Sequence, residues 1–525
     1  MPTFVVRVGI SFSSVSMQQA LYTIEDRCIS NCVSVSACLL SLAHLRGAGQ
    51  LVYDEIHWKG SVCFSMARQR VLRFPEGFLW GTASAAYQCE GGNTNNQWYR
   101  WEQQGHILSG EQCGRAANWW EEAEQDFELA EQMENNALRL SIEWSRIEPA
   151  EGRWDDTAVE RYRAMLIDLH HRHITPVVTL HHFTEPLWFA DQGGFAHADN
   201  IRFFTRYVAY IVEALRDLCD FWITINEPNV YAVQGYDLGV FPPGEQNIGR
   251  TLQVLRNMVQ AHVTAFYVIR RLQPVSHIGY CLNYRLFDPA NFLSLLDRAA
   301  AGAQETFFNW SVLRAAETGR FNFPVKVLVP PISGAAGTRD YHGVNYYTRE
   351  IVRFDPGVPG ELFGRRFVRP ETLRNDPGLD EDFGEIYPEG LYRVLRTVYR
   401  SARGNKPLYI TENGFCDAVD NRRPRAILEH LAMVHRAIQE GIPVRGYFHW
   451  SLVDNFEWNN GWYARFGLID VNPYTQERTP RRSASMFGEI CRANAISEEM
   501  VERYAPEIIE SIFGKADTSQ HELIV

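Results

Sequence analysis

Eight short apolar runs rich in β-branched and aromatic residues, amphipathic stretches between them, and polar residues recurring at the run ends predict a closed (β/α)8 barrel from residue 73 to about residue 513. Runs of this kind suit parallel strands covered on both faces. Their eightfold repetition favours a barrel over an open sheet. The region is larger than a typical barrel, so long loops must follow some strands.

The runs come in the following order. FLWGTASAAY (Phe78–Tyr87) is first and ALRLSIEW (Ala137–Trp144) second. Between them lies WWEEAEQDFELAEQM, a helical pattern with Phe127, Leu129 and Met133 as its apolar contacts. ERYRAMLIDLHHRH repeats that pattern with Tyr162, Met165, Leu166 and Leu169, and leads into the third run, TPVVTLHH (Thr175–His182). The fourth is FWITINEP (Phe221–Pro228), the fifth HIGYCLNY (His277–Tyr284) and the sixth YHGVNYY (Tyr341–Tyr347). PLYITENG (Pro407–Gly414) and VRGYFHWSL (Val444–Leu452) complete the set. The Pro-, Gly- and charge-rich tract Phe354–Glu385 and the tract Asp454–Arg482 are the long loops.

Residues 1–72 read as an extension outside the barrel, and residues 514–525 as a tail. The segment CISNCVSVSACLLSLAHL (Cys28–Leu45) is apolar and rich in small residues. It fits a signal-peptide core, a poorly ordered extension, or sequence upstream of a natural start at Met66. A signal would need an unusually long leading region containing Glu25 and Asp26. The 10 cysteines include no zinc-ribbon pairing, and a chain of 525 residues needs no disulfide framework. Reduced thiols in a cytoplasmic compartment are expected, or secretion if the apolar stretch is a signal. A formal net charge of −12 argues against a nucleic-acid partner, and no apolar run is long enough to span a bilayer.

In a barrel, chemistry gathers where the strands end. Here the ends carry Gln88 and Glu90, Arg139, His181 and His182, Asn226 and Glu227, Asn345, Tyr346 and Tyr347, Glu412 and Asn413, and His449 and Trp450. Any one of these is more often a satisfied core or rim residue than a functional one. Closure of the barrel would bring them to one mouth. Glu227 and Glu412 end the fourth and seventh runs alike, and a pair of carboxylates across a cleft is what cleavage of a glycosidic bond needs. Arg139 is the natural cation to keep one of them charged, while burial or a neighbouring negative charge would hold a proton on the other. Tyr347 can donate to the charged carboxylate, and Asn226 can bind a sugar hydroxyl.

The motifs FPEGFLWGTASAAYQCEGG, LRLSIEWSRIEP, TLHHFTEP, TINEPN, GVNYYTRE, IYPEGLY, YITENG, GYFHWSLVDNFEW and RFGLIDV follow one another from Phe74 to about Cys491. In this order the chain resembles glycoside hydrolase family 1, the β-glucosidase family. The resemblance implies a retaining exo-β-glycosidase with Glu227 as acid/base and Glu412 as nucleophile, whose carboxyl groups would lie roughly 5–5.5 Å apart. It implies that Arg139 and Tyr347 position the nucleophile. Gln88, His182, Asn226, Glu457 and Trp458 would hold the hydroxyls of a terminal sugar stacked on Trp450, with Phe466 near the exocyclic carbon. The substrate would be a small β-glycoside or oligosaccharide, most simply a β-glucoside, with galactosides and fucosides as further candidates. No cofactor or metal is implied.

The chain departs from the family pattern at Phe183, where Trp is common, and at Glu143, where Ser or Ala is frequent. The phospho-sugar branch carries Ser, Lys and Tyr where this chain has Glu457, Ala464 and Phe466, so an unphosphorylated sugar is expected. Two rival readings are an endo-β-glycanase with a related barrel and a catalytically silent sugar-binding relative. The set Gln88, Glu457 and Trp458 favours a pocket for one terminal sugar over the first rival. Retention of both carboxylates weighs against the second.

Overall fold

The computed structural model describes residues 70–375, 383–401 and 406–515. The expectations for Cys28–Leu45, for Met66 as a start, and for most of the extension and the C-terminal tail lie outside these residues. The eight predicted runs are eight strands: β1 (Leu79–Ala83), β2 (Ala137–Ser141), β3 (Thr175–Thr179), β4 (Phe221–Asn226), β5 (His277–Pro289), β6 (His342–Phe354), β7 (Leu408–Asn413) and β8 (Val444–Trp450). Each pairs in parallel with the next. β8 returns to pair with β1, which closes the barrel.

Side chains sort to the two sides of this wall. Ala137, Val177, Phe221, Ile223, Tyr341, Phe448 and Trp450 fill the interior. Trp80, Leu138, Val178, Trp222 and Ile410 face the helices. The helix Trp119–Gln132 buries Phe127, and the helix Asp156–His171 buries Tyr162, Met165, Leu166 and Leu169, as the apolar spacing predicts. Cys89, Cys113, Cys219, Cys281 and Cys491 are buried free thiols. Among the described residues no helix is long and apolar enough to cross a membrane.

The folded unit starts earlier than residue 73. Val71–Arg73 is a short strand paired antiparallel with Ala495–Ser497. The Arg70 guanidinium donates to the carbonyls of Phe513 and Gly514, at 2.9 and 2.8 Å, and pairs with Glu498. Residues 70–72 therefore belong with the barrel. Apolar periodicity does not register a three-residue strand whose partner is more than 400 residues away.

Both long loops contain structure. After β6 the chain turns back as the strand Gly364–Phe367, antiparallel to the far end of β6. After β8, Ile469–Val471 and Arg478–Pro480 form a two-stranded ribbon. Asp454 anchors this second loop. It is fully buried and accepts from Arg481 at 3.0 and 2.7 Å and from the Gly467 amide at 2.9 Å. Asp454→Ala would leave the buried Arg481 guanidinium with only the half-exposed Asp470, 2.8 Å away, as counter-charge. A loss of about 3–5 kcal/mol in unfolding free energy is expected by urea titration. A loss below ~1 kcal/mol would show that the loop is held by its apolar contacts instead.

Candidate active site

β4 delivers the first carboxylate through a local irregularity. Phe221 and Ile223 point inward, but Thr224 bonds the helix residue His262 and Ile225 also packs outward. Two successive outward residues break the alternation, and the pairing with β5 shifts register between Ile223 and Asn226. Asn226 thereby turns to the mouth. Glu227 follows with φ of 45°, in the left-handed region, and starts the helix Pro228–Tyr236. Phe183 and Trp458 also have left-handed backbones, with φ of 67° and 52°. Non-glycine residues hold such angles where surrounding structure imposes them, as at functional sites.

Glu227 Oε1 accepts from Asn345 Nδ2 at 2.7 Å and Asn283 Nδ2 at 3.0 Å. Burial, and then the charge of Glu412, push its carboxyl up to about 8, against the pull of both amides and Arg139. Glu412 is held differently. Arg139 Nη1 donates to its Oε1 at 2.5 Å and Tyr347 Oη to its Oε2 at 2.6 Å. Arg139 is fully buried. It also reaches Asn226 Oδ1 at 2.7 Å, the Thr411 carbonyl at 3.1 Å and Thr179 Oγ1 at 3.1 Å. Tyr347 keeps its proton, because burial and the charge of Glu412 raise its phenol well above the usual range. One carboxylate thus sits against a cation and a phenol, and the other against neutral amides.

Around this pair lies a cavity of about 290 Å³, lined by His182, Glu227, Tyr347, Glu412, Trp450, Glu457, Trp458 and Phe466 among others. His182 stands nearly parallel to Trp450 and Trp458, with ring centroids 5.8 and 6.0 Å away. Burial and the charge of Arg139 keep its imidazole neutral, and Asn226 Nδ2 lies 3.2 Å from its Nε2. Burial, and then Glu412, push Glu457 up to about 8, although Trp450 and Gln88 donate to it. Gln88 lies beneath the lining, 3.2 Å from Glu457 Oε2, with its own Oε1 unpartnered. Phe466 packs edge-on to Tyr347, with centroids 6.0 Å apart. Among the described residues no cluster of three or more His, Cys, Asp or Glu is arranged to hold a metal ion.

Other strand-end residues point elsewhere. Glu90 pairs with Arg146 and accepts from Tyr162. His181 packs among Phe195, Phe204 and Tyr231 on the helical side, and His449 faces Phe487. Asn413 donates to the Tyr346 carbonyl. Glu143 is fully buried and accepts from Thr184 and Ser145, away from the cavity. Phe183 does line the cavity, edge-on to Trp458. Two groups that hold Glu227 carry no role in the sequence reading. Asn345 was visible only as one of three polar residues closing the sixth run. Asn283 sits in the LNY end of the fifth run, and an amide there has no distinguishing neighbour in sequence.

A family model for glycosyl hydrolase family 1 matches residues 71–496. The β-galactosidase of Pyrococcus woesei is 31% identical over 515 residues, covering 82% of this chain and 99% of that protein. The β-glucosidase A of Thermotoga maritima is 32% identical over 456 residues, covering 82% and 100%. The solved structure of a β-glycosidase from Pyrococcus horikoshii superposes with a TM-score of 0.75 at 36% identity, covering 85% of this chain and 99% of that one.

Proposed function

The chain belongs to glycosyl hydrolase family 1 and is a retaining β-glycosidase, and from that premise we propose that it removes terminal β-D-glucosyl residues with Glu412 as nucleophile and Glu227 as acid/base. The observation that carries the assignment is the unequal setting of the two carboxyl groups. Arg139 and Tyr347 hold both oxygens of Glu412, which suits a charged nucleophile. Glu227, buried and bonded by amides, suits a proton carrier near neutral pH.

In the first step Glu412 Oε attacks the anomeric carbon as the glycosidic C–O bond breaks, and the Glu227 proton passes to the leaving oxygen. The product is an ester between sugar and Glu412. In the second step Glu227, now a carboxylate, takes a proton from water, whose oxygen attacks the anomeric carbon and releases Glu412. Two inversions return the β configuration. Asn226, held by Arg139 and Asn345, would bind the hydroxyl next to the reacting carbon. Gln88, His182, Glu457 and Trp458 would hold the remaining hydroxyls over Trp450. An unphosphorylated sugar fits Glu457, since a 6-phosphate would meet a carboxyl group there. Galactosides are the second reading, supported by the name of the Pyrococcus woesei relative. The buried thiols support a reducing compartment.

A panel of nitrophenyl β-glycosides, with product configuration followed by NMR, tests this proposal. The β-glucoside should give the highest kcat/KM and a β-configured first product. An α first product would exclude the double-displacement assignment. Higher kcat/KM on long polysaccharide than on aryl glycosides would favour an endo-acting enzyme.

A further inference from the structure

Beyond Glu227 the cavity changes character. Its deep part carries the carboxyl groups of Glu227, Glu412 and Glu457, whereas the other charged groups in its lining are the guanidinium groups of Arg285 and Arg366. β5 explains where Arg285 stands. This strand runs past the barrel rim to Pro289, still paired with β6. Asn283, Arg285 and Phe287 all line the cavity, while Tyr284 between the first two is turned away and buried. The register irregularity of this stretch adds its extra residue to β6, between Tyr346 and Arg349, so β5 keeps its alternation. Asn283 bonds the carboxyl of Glu227. Arg285 follows two residues farther out, about 6.6 Å along the strand. That is close to the span of one substituted aromatic ring beyond the leaving oxygen.

Arg366 comes from the hairpin strand Gly364–Phe367, opposite Val352 at the end of β6. Phe287, Phe308 and Phe383 supply aromatic surface in the same lining. The carboxylates that balance the two arginines stand outside the cavity: Glu350 pairs with Arg285 at 2.7 Å, and Glu361 lies 3.6 Å from Arg366. Asp237, which the charge of Arg366 also reaches, is likewise outside the lining. Each guanidinium has five N–H donors, so one partner leaves donors for a ligand. We infer that the leaving-group side of this cavity is built for an aromatic aglycone bearing an anionic substituent, such as a carboxylate, read by Arg285 and Arg366. Arg285 and Arg366 are the cations of this lining, and they attract that substituent to the leaving-group side, which sets the substrate's direction of entry. The inference rests on the glycosidase reading above.

The test compares 4-carboxyphenyl β-glucoside with its neutral 4-carboxamide, which has nearly the same shape. In the wild type, kcat/KM should favour the carboxylate about tenfold at low salt, the size of one charge-assisted contact. The preference should shrink at ~0.5 M salt, where the screening length falls to a few ångströms. Arg285→Gln/Arg366→Gln should bring the ratio of the two rates close to one, chiefly through KM. Arg285→Lys/Arg366→Lys should keep part of it. The ratio is the readout, so a general loss of activity does not imitate the result. A wild-type ratio near or below one at low salt overturns the inference without needing any variant. A wild type that cleaves neither glycoside refutes the underlying glycosidase reading instead.

Discussion

Replacing Glu412 with Ala should lower kcat on a nitrophenyl β-glucoside by about 10⁵-fold, on the scale seen when other enzymes lose a nucleophile. The covalent intermediate cannot form without this oxygen. The truncation also opens space on the face from which the nucleophile attacks, beside Arg139, which is suited to an anion. Azide or formate should enter it and restore turnover. The azide product should be the α-glycosyl azide, because the ion attacks from the side Glu412 occupied while Glu227 still protonates the leaving oxygen. Rescue also reports on folding, since a collapsed site would not take up the ion. A variant that kept most of its activity without added anion, or gave β-glycosyl azide, would remove Glu412 from the proposed role.

Glu227→Gln should cost about 10²–10⁴-fold in kcat/KM, in the range of a lost general acid, for substrates with poor leaving groups. Gln preserves the shape but carries no transferable proton. A dinitrophenyl glucoside needs little protonation to depart, so its first step should survive and the glycosyl-enzyme should accumulate. Azide attacks without a base and should release that intermediate as the β-glycosyl azide, the opposite anomer from the Glu412 variant. The pH profile gives a separate check. Glu227 must be protonated to act first and its carboxyl is pushed up to about 8, so wild-type kcat/KM should fall as pH rises through about 8. The fall should vanish in Glu227→Gln. The fall reports the coupled pair, because the charge of Glu412 is one of its causes. An unchanged alkaline limb in the variant would assign the proton to another group, and Glu457, pushed up to about 8 as well, is the one to examine.

The barrel was legible because each strand is apolar through its length and carries its polar residues at one end. That pattern needs only local reading, and the eight runs correspond to eight strands, although the fifth and sixth strands continue to Pro289 and Phe354, beyond the run ends at Tyr284 and Tyr347. The pairing of Glu227 with Glu412 was legible for the same reason, since closure brings strand ends together. Which neighbours of those ends face the cavity was not legible in the strand pattern, and only the family resemblance singled out Gln88 and His182. His181 and His182 are adjacent and chemically identical, yet one lies among helix-layer aromatics and the other beside Trp450. Glu90 follows Gln88 by two residues, about half a turn of a short helix, and ends in an ion pair with Arg146.

Composition, run length and the order of the motifs by themselves determined the fold class, the family resemblance and the two carboxylates proposed for the chemistry. These depend on residue type and spacing along the chain. Only the tertiary structure decided that Asn283 and Asn345 hold Glu227, that residues 70–72 belong with the barrel, and that Arg285 and Arg366 line the cavity. Each of these depends on a register shift, a left-handed residue or a partner far away in sequence. A strand's alternation inverts with one extra residue, so the direction of a side chain past a bulge is set by the pairing partner and not by the strand's own sequence.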